Sequence, residues 1–107
     1  MAQYFNITGA SSAAAELTRE LLTPGDDVGV SKISLTNIHA THQCTVDLYI
    51  EKKLTGKFYL LKAVELPIGA TLIYDNMKFS NKIGAFGLYI KLTKSASETP
   101  TVDVIIN

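Results

Sequence analysis

The sequence predicts an all-β protein, an antiparallel β-sandwich of about seven to eight strands with a jelly-roll or Ig-like arrangement, and a single domain over residues 1–107. Three observations support this prediction. Apolar and polar residues alternate with a period of two in several segments, turn residues separate these segments at roughly 8–12-residue spacing, and the composition is 47% hydrophobic. A chain of this length can bury one core without disulfides.

The alternation is clearest in residues 44–51, 86–93 and 102–106, which we predict to be strands. Residues two apart in a strand share a face, so each segment has one apolar face. The residues expected to face the core are Cys44, Val46, Leu48, Ile50, Phe86, Leu88, Ile90, Leu92, Val102, Val104 and Ile106.

Four further strands are predicted at residues 4–8, 30–38, 57–64 and 70–74. The segment 57–64 follows a turn over 52–56 and is expected to form a hairpin with 44–51. The last segment begins after Pro67-Ile68-Gly69, a strong turn signal.

Residues 10–23 carry conflicting signals. Ser11 to Leu17 is rich in helix formers, whereas Glu20 to Thr23 runs as a short strand into the turn Pro24-Gly25-Asp26-Asp27. We predict a strand over 21–23 and a loop or one helical turn over 13–17. A short helical turn is an alternative for 74–81.

The charges argue against a nucleic-acid partner. Ten basic and ten acidic residues give a net charge of zero, and Arg19 is the single arginine. Residues 1–51 carry a net −4 and residues 52–107 a net +4. We expect a sandwich to interleave the two halves; the alternative is an acidic patch that meets a basic patch on a neighbouring subunit.

Membrane and secretion signals are missing from the sequence. The first residues, Met-Ala-Gln-Tyr-Phe, are unlike a secretory signal, and no apolar stretch is long enough to cross a bilayer. We therefore expect synthesis in a cytoplasm and no membrane partner.

His39, His42 and Cys44 form the one cluster of potential zinc ligands. Closed zinc sites usually draw paired ligands from two segments, and the chain has no further His or Cys. We predict a polar loop followed by a buried cysteine. Asp26 and Asp27 lack the ligand spacing of a calcium loop, so a solvated turn is expected there.

Catalytic motifs are equally weak. No Gly-flanked nucleophile turn accompanies the serines and histidines, and Gly84 and Gly87 lie in a strand context rather than in a phosphate-binding loop. We predict no catalytic residue, no cofactor site and no metal site, and therefore a protein that is not an enzyme.

Tyr49, Tyr59 and Tyr89 occupy outward or nearly outward strand positions. Exposed tyrosines can stack on sugars or anchor a protein contact. Cross-strand pairing on the sheet surface is the competing interpretation, and the sequence does not favour either.

Three segments resemble small β-sandwich virion proteins of tailed phages. They are Lys32-Ile33-Ser34-Leu35-Thr36-Asn37-Ile38, Thr45-Val46-Asp47-Leu48-Tyr49-Ile50, and Val64-Glu65-Leu66-Pro67-Ile68-Gly69-Ala70-Thr71-Leu72. The resemblance covers roughly residues 20–95 and implies a non-enzymatic part of a capsid, neck or tail.

The first functional hypothesis is therefore a structural or decorating component of a phage virion. It would be made in the host bacterial cytoplasm, would form a homo-oligomer and would dock onto other virion proteins. The alternative is a β-sandwich module that binds carbohydrate or a host surface through its tyrosines. A small enzyme ranks third.

Overall fold

A computed structural model describes residues 3–9, 16–23, 29–52, 55–75, 79–80, 86–95 and 98–107. Within these ranges the secondary structure is entirely β. The strands in chain order are β1 Gln3–Thr8, β2 Glu16–Leu22, β3 Gly29–Val30, β4 Ile33–Asn37, β5 Cys44–Lys52, β6 Gly56–Leu66, β7 Thr71–Tyr74, β8 Phe79–Ser80, β9 Gly87–Lys94 and β10 Thr101–Ile106.

The strands pair as one long hairpin rolled up on itself. β1 pairs with β10, β2 with β9, β3 with β8, β4 with β7 and β5 with β6, always antiparallel. Pairing of β10 with β4 and of β9 with β5 then closes two four-stranded sheets. The first sheet has the order β1-β10-β4-β7 and the second sheet β2-β9-β5-β6. This nested pairing is a jelly roll, which decides between the two predicted arrangements.

The core lies between the two sheets, and the predicted alternation accounts for most of it. In β4, for example, Ile33 and Leu35 are buried while Ser34 between them is half-buried. Most of the predicted inward residues are buried; Ile50 and Phe86 are only half-buried. Burying a Leu, Ile or Val side chain contributes about 1.5–3 kcal/mol relative to leaving it exposed. Fully buried apolar residues are Ile33, Leu35, Leu48, Leu66, Leu88, Ile90, Leu92, Ile106, Val46, Val102 and Val104.

One local prediction is wrong, and one local alternative is ruled out where the structure describes it. Glu16 and Leu17 begin β2, where we expected a loop or helical turn over 13–17, because β9 offers Thr93 and Leu92 as ladder partners. Residues 13–15 lie outside the described residues. The helical turn considered for 74–81 is replaced at Phe79–Ser80 by β8, which pairs with β3. In both places strand pairing overrides local helix propensity.

The strand predicted over 30–38 is interrupted at Ser31 and Lys32. Both backbone N–H groups donate to the carbonyl oxygen of Asn107, at 2.7 and 3.1 Å, and Asn107 N–H donates to Lys32 O at 2.8 Å. Asn107 thus binds the bend that separates β3 from β4.

Strands from the two halves of the sequence alternate in both sheets. In the first sheet β1 and β4 alternate with β10 and β7, and in the second β2 and β5 alternate with β9 and β6. The acidic and basic halves are therefore interleaved, as expected. The described residues include no helix that could cross a bilayer.

Candidate functional site

A row of tyrosines crosses the outer face of the second sheet. Tyr59 on β6 and Tyr89 on β9 are the register partners of Tyr49 on β5. The Tyr49 ring centroid lies 5.4 Å from that of Tyr59 and 5.5 Å from that of Tyr89, the latter pair nearly parallel. Cross-strand pairing is thus present, and such aromatic pairs stabilise a sheet.

The exposure of this row differs from the expectation. Tyr49 is only 3% exposed, so its interpretation as an exposed aromatic is wrong, whereas Tyr59 is 43% exposed. Lys57 Nζ lies 4.9 Å from the centroid of the Tyr49 ring and Lys62 Nζ 4.5 Å from that of Tyr59. The flanking rings and the Lys57 ammonium group cover the central tyrosine, because long lysine chains lie along apolar surface.

The row ends on β2 at an acidic residue. Tyr89 Oη donates a 3.1 Å hydrogen bond to Oε2 of Glu20. Partial burial and the Glu20 carboxylate raise the pKa of the Tyr89 hydroxyl above its ordinary value. The tyrosine hydroxyl therefore remains a neutral donor.

Gly87 makes room for the Tyr89 ring. A Cβ at Gly87 would lie 3.0 Å from Tyr89 Cε1 and 3.2 Å from the carbonyl oxygen of Leu22. The strand context predicted for Gly87 is confirmed, since it is the first residue of β9, and the ring is the close neighbour that a side chain there would meet. Gly84 lies outside the described residues.

A buried carboxylate lies beside the tyrosine row. The Asp47 side chain is 5% exposed and has Lys62 Nζ at 3.4 Å and Lys91 Nζ at 3.7 Å from Oδ2. Its other oxygen, Oδ1, accepts a 2.7 Å hydrogen bond from Ala63 N–H. The alternating pattern of β5 predicts an outward side chain here, but the bulged neighbouring strand β6 covers it. Sequence reasoning missed this group.

The histidine loop follows β4. Nδ1 of His39 accepts from the N–H groups of Thr41 and His42, both at 3.1 Å. The two imidazole centroids are 5.4 Å apart, edge to face. These contacts hold the loop conformation; across the part of the chain that the structure describes, no three His, Cys, Asp or Glu side chains are grouped as metal ligands.

Cys44 lies in the core, as predicted. It is 2% exposed. Burial, and secondarily the Glu98 carboxylate, raise the pKa of its thiol to about 11. A neutral buried thiol is a poor nucleophile and a poor metal ligand.

Asn37 holds one end of the sandwich together. Its buried Nδ2 donates to the carbonyl oxygens of His42 and Leu66, at 3.1 and 2.9 Å, and its Oδ1 accepts from His39 N–H at 2.9 Å. Beside it opens a cleft of about 500 Å³ lined by Thr41, His42, Gln43, Pro67, Ile68 and Ser95. Thr36-Asn37, near the end of the strand predicted over 30–38, is the sequence signal for this position.

The outer face of the first sheet is apolar in one row and polar in the next. Tyr4, Ile105 and Ile73 are 73%, 37% and 54% exposed, and register aligns them with Ser34 across the four strands. The adjacent row is Asn6, Asp103, Thr36 and Thr71, in which Asn6 donates to Asp103 at 2.8 Å and the two threonine hydroxyls are 2.8 Å apart. Sequence reasoning missed this face, although Ile105 between two inward residues was a signal.

The turn Pro24-Gly25-Asp26-Asp27, considered above as a calcium loop, lies outside the described residues. The site candidates from the sequence that the structure does describe are the two histidines, the tyrosines and Cys44. The structure brings the three tyrosines together in one place and the two histidines together in another. Cys44 faces the core instead.

The sequence matches no protein-family model and no curated protein. The structure is similar to that of the Yersinia pseudotuberculosis-derived mitogen, with a TM-score of 0.59 and 13% identity, covering 100% of this chain and 85% of that chain. It is also similar to a chain of infectious bursal disease virus, Gx strain, with a TM-score of 0.51 and 12% identity, covering 97% of this chain but 29% of that chain. At these identities the likeness concerns the fold, and it agrees with an antiparallel jelly-roll sandwich.

Proposed function

We propose that this chain is a non-enzymatic structural component of a virion, acting by self-association and by docking onto other virion proteins. A capsid-decoration, neck or tail accessory protein of a tailed phage, made in the host bacterial cytoplasm, fits the sequence resemblance. Neither a nucleic acid nor a membrane is proposed as a partner.

The observation that carries the proposal is the outer face of the first sheet. It presents the large side chains of Tyr4, Ile73 and Ile105 to solvent in one row. Asp103 is the one charged residue on the strands β1, β10, β4 and β7, and Asn6 binds it. A weakly charged face with aligned apolar side chains is typical of a surface that another protein covers.

The fold supports the proposal at a coarser level. Jelly rolls occur in viral capsid domains as well as in lectins and cupins. Similarity to a chain of infectious bursal disease virus is consistent with the first of these uses. Because one fold hosts several functions, the outer faces carry more weight than the fold.

Co-purification tests the proposal. Particles produced by cells that carry this gene are banded on a density gradient, and an antibody against the chain is used on each fraction. We expect the chain to migrate with intact particles at a constant ratio to the major virion protein. A chain that stays at the top of the gradient, in every fraction free of particles, would contradict the proposal.

The second candidate is a carbohydrate- or host-surface-binding module. The observation in its favour is Tyr59, a residue that is 43% exposed on the outer face of the second sheet. Lys62 over this ring and the burial of Tyr49 leave less aromatic surface for a sugar than the sequence suggests. A glycan array separates the candidates: binding that is lost in Tyr59→Ala and kept in Tyr4→Ala would favour the module.

A further inference from the structure

The two sheets of the sandwich have four edge strands. They are β1 and β7 in the first sheet and β2 and β6 in the second. Each edge presents backbone N–H and C=O groups that can pair with a strand of another chain. Natural sheets blunt their edges with bulges, with lysines or inward charges, or by keeping the edge strand short. The four edges here differ in whether they carry such devices.

The edges of the second sheet are both blunted. Its β6 edge has two register irregularities, the left-handed residue Ala63 with φ 53°, and exposed lysines at Lys57 and Lys62. The β2 edge shifts register between Glu20 and Leu22. Arg19 on β2 is the register partner of buried Ile90 and is itself exposed, so this edge carries a charged residue in a row that is apolar on β9.

The two edges of the first sheet differ from one another. Strand β7 has only four residues, Thr71–Tyr74. Strand β1 has six residues, Gln3–Thr8, which pair with β10 in unbroken register from Gln3↔Ile106 to Thr8↔Thr101. Its sequence, Gln-Tyr-Phe-Asn-Ile-Thr, contains no charge, no proline and no glycine. Among the described edges, β1 alone combines length, regularity and neutrality.

We propose that β1 pairs with β1 of a second copy of this chain, antiparallel about a twofold axis perpendicular to the first sheet, which joins the two sheets into one of eight strands. The inference rests on the proposed function, because it assigns the self-association to a particular edge. A symmetric contact sets a surface against itself, and an uncharged strand can do so without opposing like charges.

Geometry restricts the register. Opposite residues of an antiparallel pair lie on the same face. The twofold axis must therefore set one residue of β1 opposite the same residue of the second copy. Two registers align most of β1. In the first, centred on Phe5, Tyr4 lies opposite Asn6 of the second copy. In the second, centred on Asn6, Phe5 lies opposite Ile7 of the second copy. Both registers place Tyr4, which faces outward and is 73% exposed, within the new contact.

The side chains of β1 leave apolar surface that a neighbouring strand would cover. A groove of about 300 Å³ lies over the β1–β10 pair and is lined by three consecutive register pairs, Tyr4 with Ile105, Phe5 with Val104 and Asn6 with Asp103. Phe5 is half-buried although it faces inward at this edge. A second β1 would complete the burial of Phe5 and cover the Tyr4 ring.

Matched charge insertions test the edge. The double variant Tyr4→Lys/Asn6→Lys sets lysines opposite each other across the twofold in either register. The control Thr71→Lys/Ile73→Lys adds the same charges in the same two rows, on β7 at the opposite edge. Sedimentation equilibrium of the full chain gives the dimer dissociation constant of each variant, and circular dichroism reports folding.

We expect the β1 variant to weaken the dimer by about tenfold or more and the β7 variant by less than about twofold. Tyr4→Lys alone should act in the same direction and leaves the Asn6–Asp103 hydrogen bond in place. Equal weakening by both variants would assign the contact to the sheet face and overturn the edge inference. A dimer that the β1 variants leave unchanged would also overturn it, while self-association would still stand. A wild-type chain that stays monomeric at all concentrations would instead contradict the proposed self-association itself.

Discussion

The backbone N–H of Ala63 donates a 2.7 Å hydrogen bond to Oδ1 of Asp47, across the irregular part of the β5–β6 pairing. Ala63 has φ 53°, a conformation that costs a residue with a side chain about 1–2 kcal/mol. The carboxylate satisfies a backbone donor that the interrupted ladder leaves without a strand partner. It thereby stabilises the bulge that blunts the β6 edge.

Asp47→Ala should lower the free energy of unfolding by about 1–3 kcal/mol, because Ala63 N–H loses its acceptor and Lys91 loses a neighbouring carboxylate. Urea unfolding followed by circular dichroism measures the change. Asp47→Asn is the matched control, since it keeps an oxygen acceptor for Ala63 and removes only the charge. Equal losses in the two variants would show that the lysines, and not the backbone hydrogen bond, account for the effect.

Gly87→Ala should destabilise the fold by about 1–3 kcal/mol, because the added Cβ meets the Tyr89 ring at 3.0 Å and the carbonyl oxygen of Leu22 at 3.2 Å. Gly29→Ala is the control, as nothing lies within 4 Å of a Cβ there. In a double-mutant cycle, Tyr89→Ala should relieve part of the Gly87→Ala loss. Additive losses would mean that the ring is not what the new methyl group meets.

Asn37→Ala should cost about 1–3 kcal/mol, because the carbonyl oxygens of His42 and Leu66 and the N–H of His39 lose their partner at a buried site. Thermal unfolding gives the comparison with Thr36→Ala, which removes only the hydroxyl contact to Thr71 on the outer face. A loss no larger than that of Thr36→Ala would contradict the role of Asn37 in joining the loop to β6.

Leu48→Ala and Ile90→Ala should each lower the free energy of unfolding by about 2–5 kcal/mol, because both side chains are fully buried and leave cavities. Guanidinium unfolding measures the change. Ile73→Ala, at a residue 54% exposed, should change stability by less than about 0.5 kcal/mol. A loss as small as this in the two core variants would show that β5 and β9 face the other way.

The thiol of Cys44 should make stability fall with pH in the alkaline range. Its pKa is raised from 9.0 to about 11, so the unfolded chain releases this proton first as the pH rises through 9. Between these values the unfolded state binds fewer protons than the folded state, and the free energy of unfolding declines by about 2–3 kcal/mol in all.

Cys44→Ala isolates this effect from the titration of lysines and tyrosines. Urea unfolding of both proteins at pH 8 and pH 10.5 should show a steeper decline for the wild type. Parallel declines would mean that the thiol ionises as readily in the folded protein as in the unfolded chain.

The sequence by itself determined most of the strands and which of their faces is buried. Period-two patterns at Cys44–Lys52, Gly87–Lys94 and Thr101–Ile106 located three of them to within one residue, because alternation reflects one solvated and one buried face. Burial of Cys44 followed from the same pattern. The resemblance to phage virion proteins supplied the functional hypothesis, which the experiments above test.

Only the tertiary structure decided which strands are neighbours and what lies over their outer faces. Alternation assigns a residue to a face without naming the strand beside it, so the nested pairing of β1 with β10 could not be deduced. The same reason explains why Glu16 and Leu17 begin a strand, and why outward Tyr49 and Asp47 are nearly inaccessible. Their surroundings are set by the bulges and side chains of the adjacent strand β6, and by side chains of β9, which is distant in sequence.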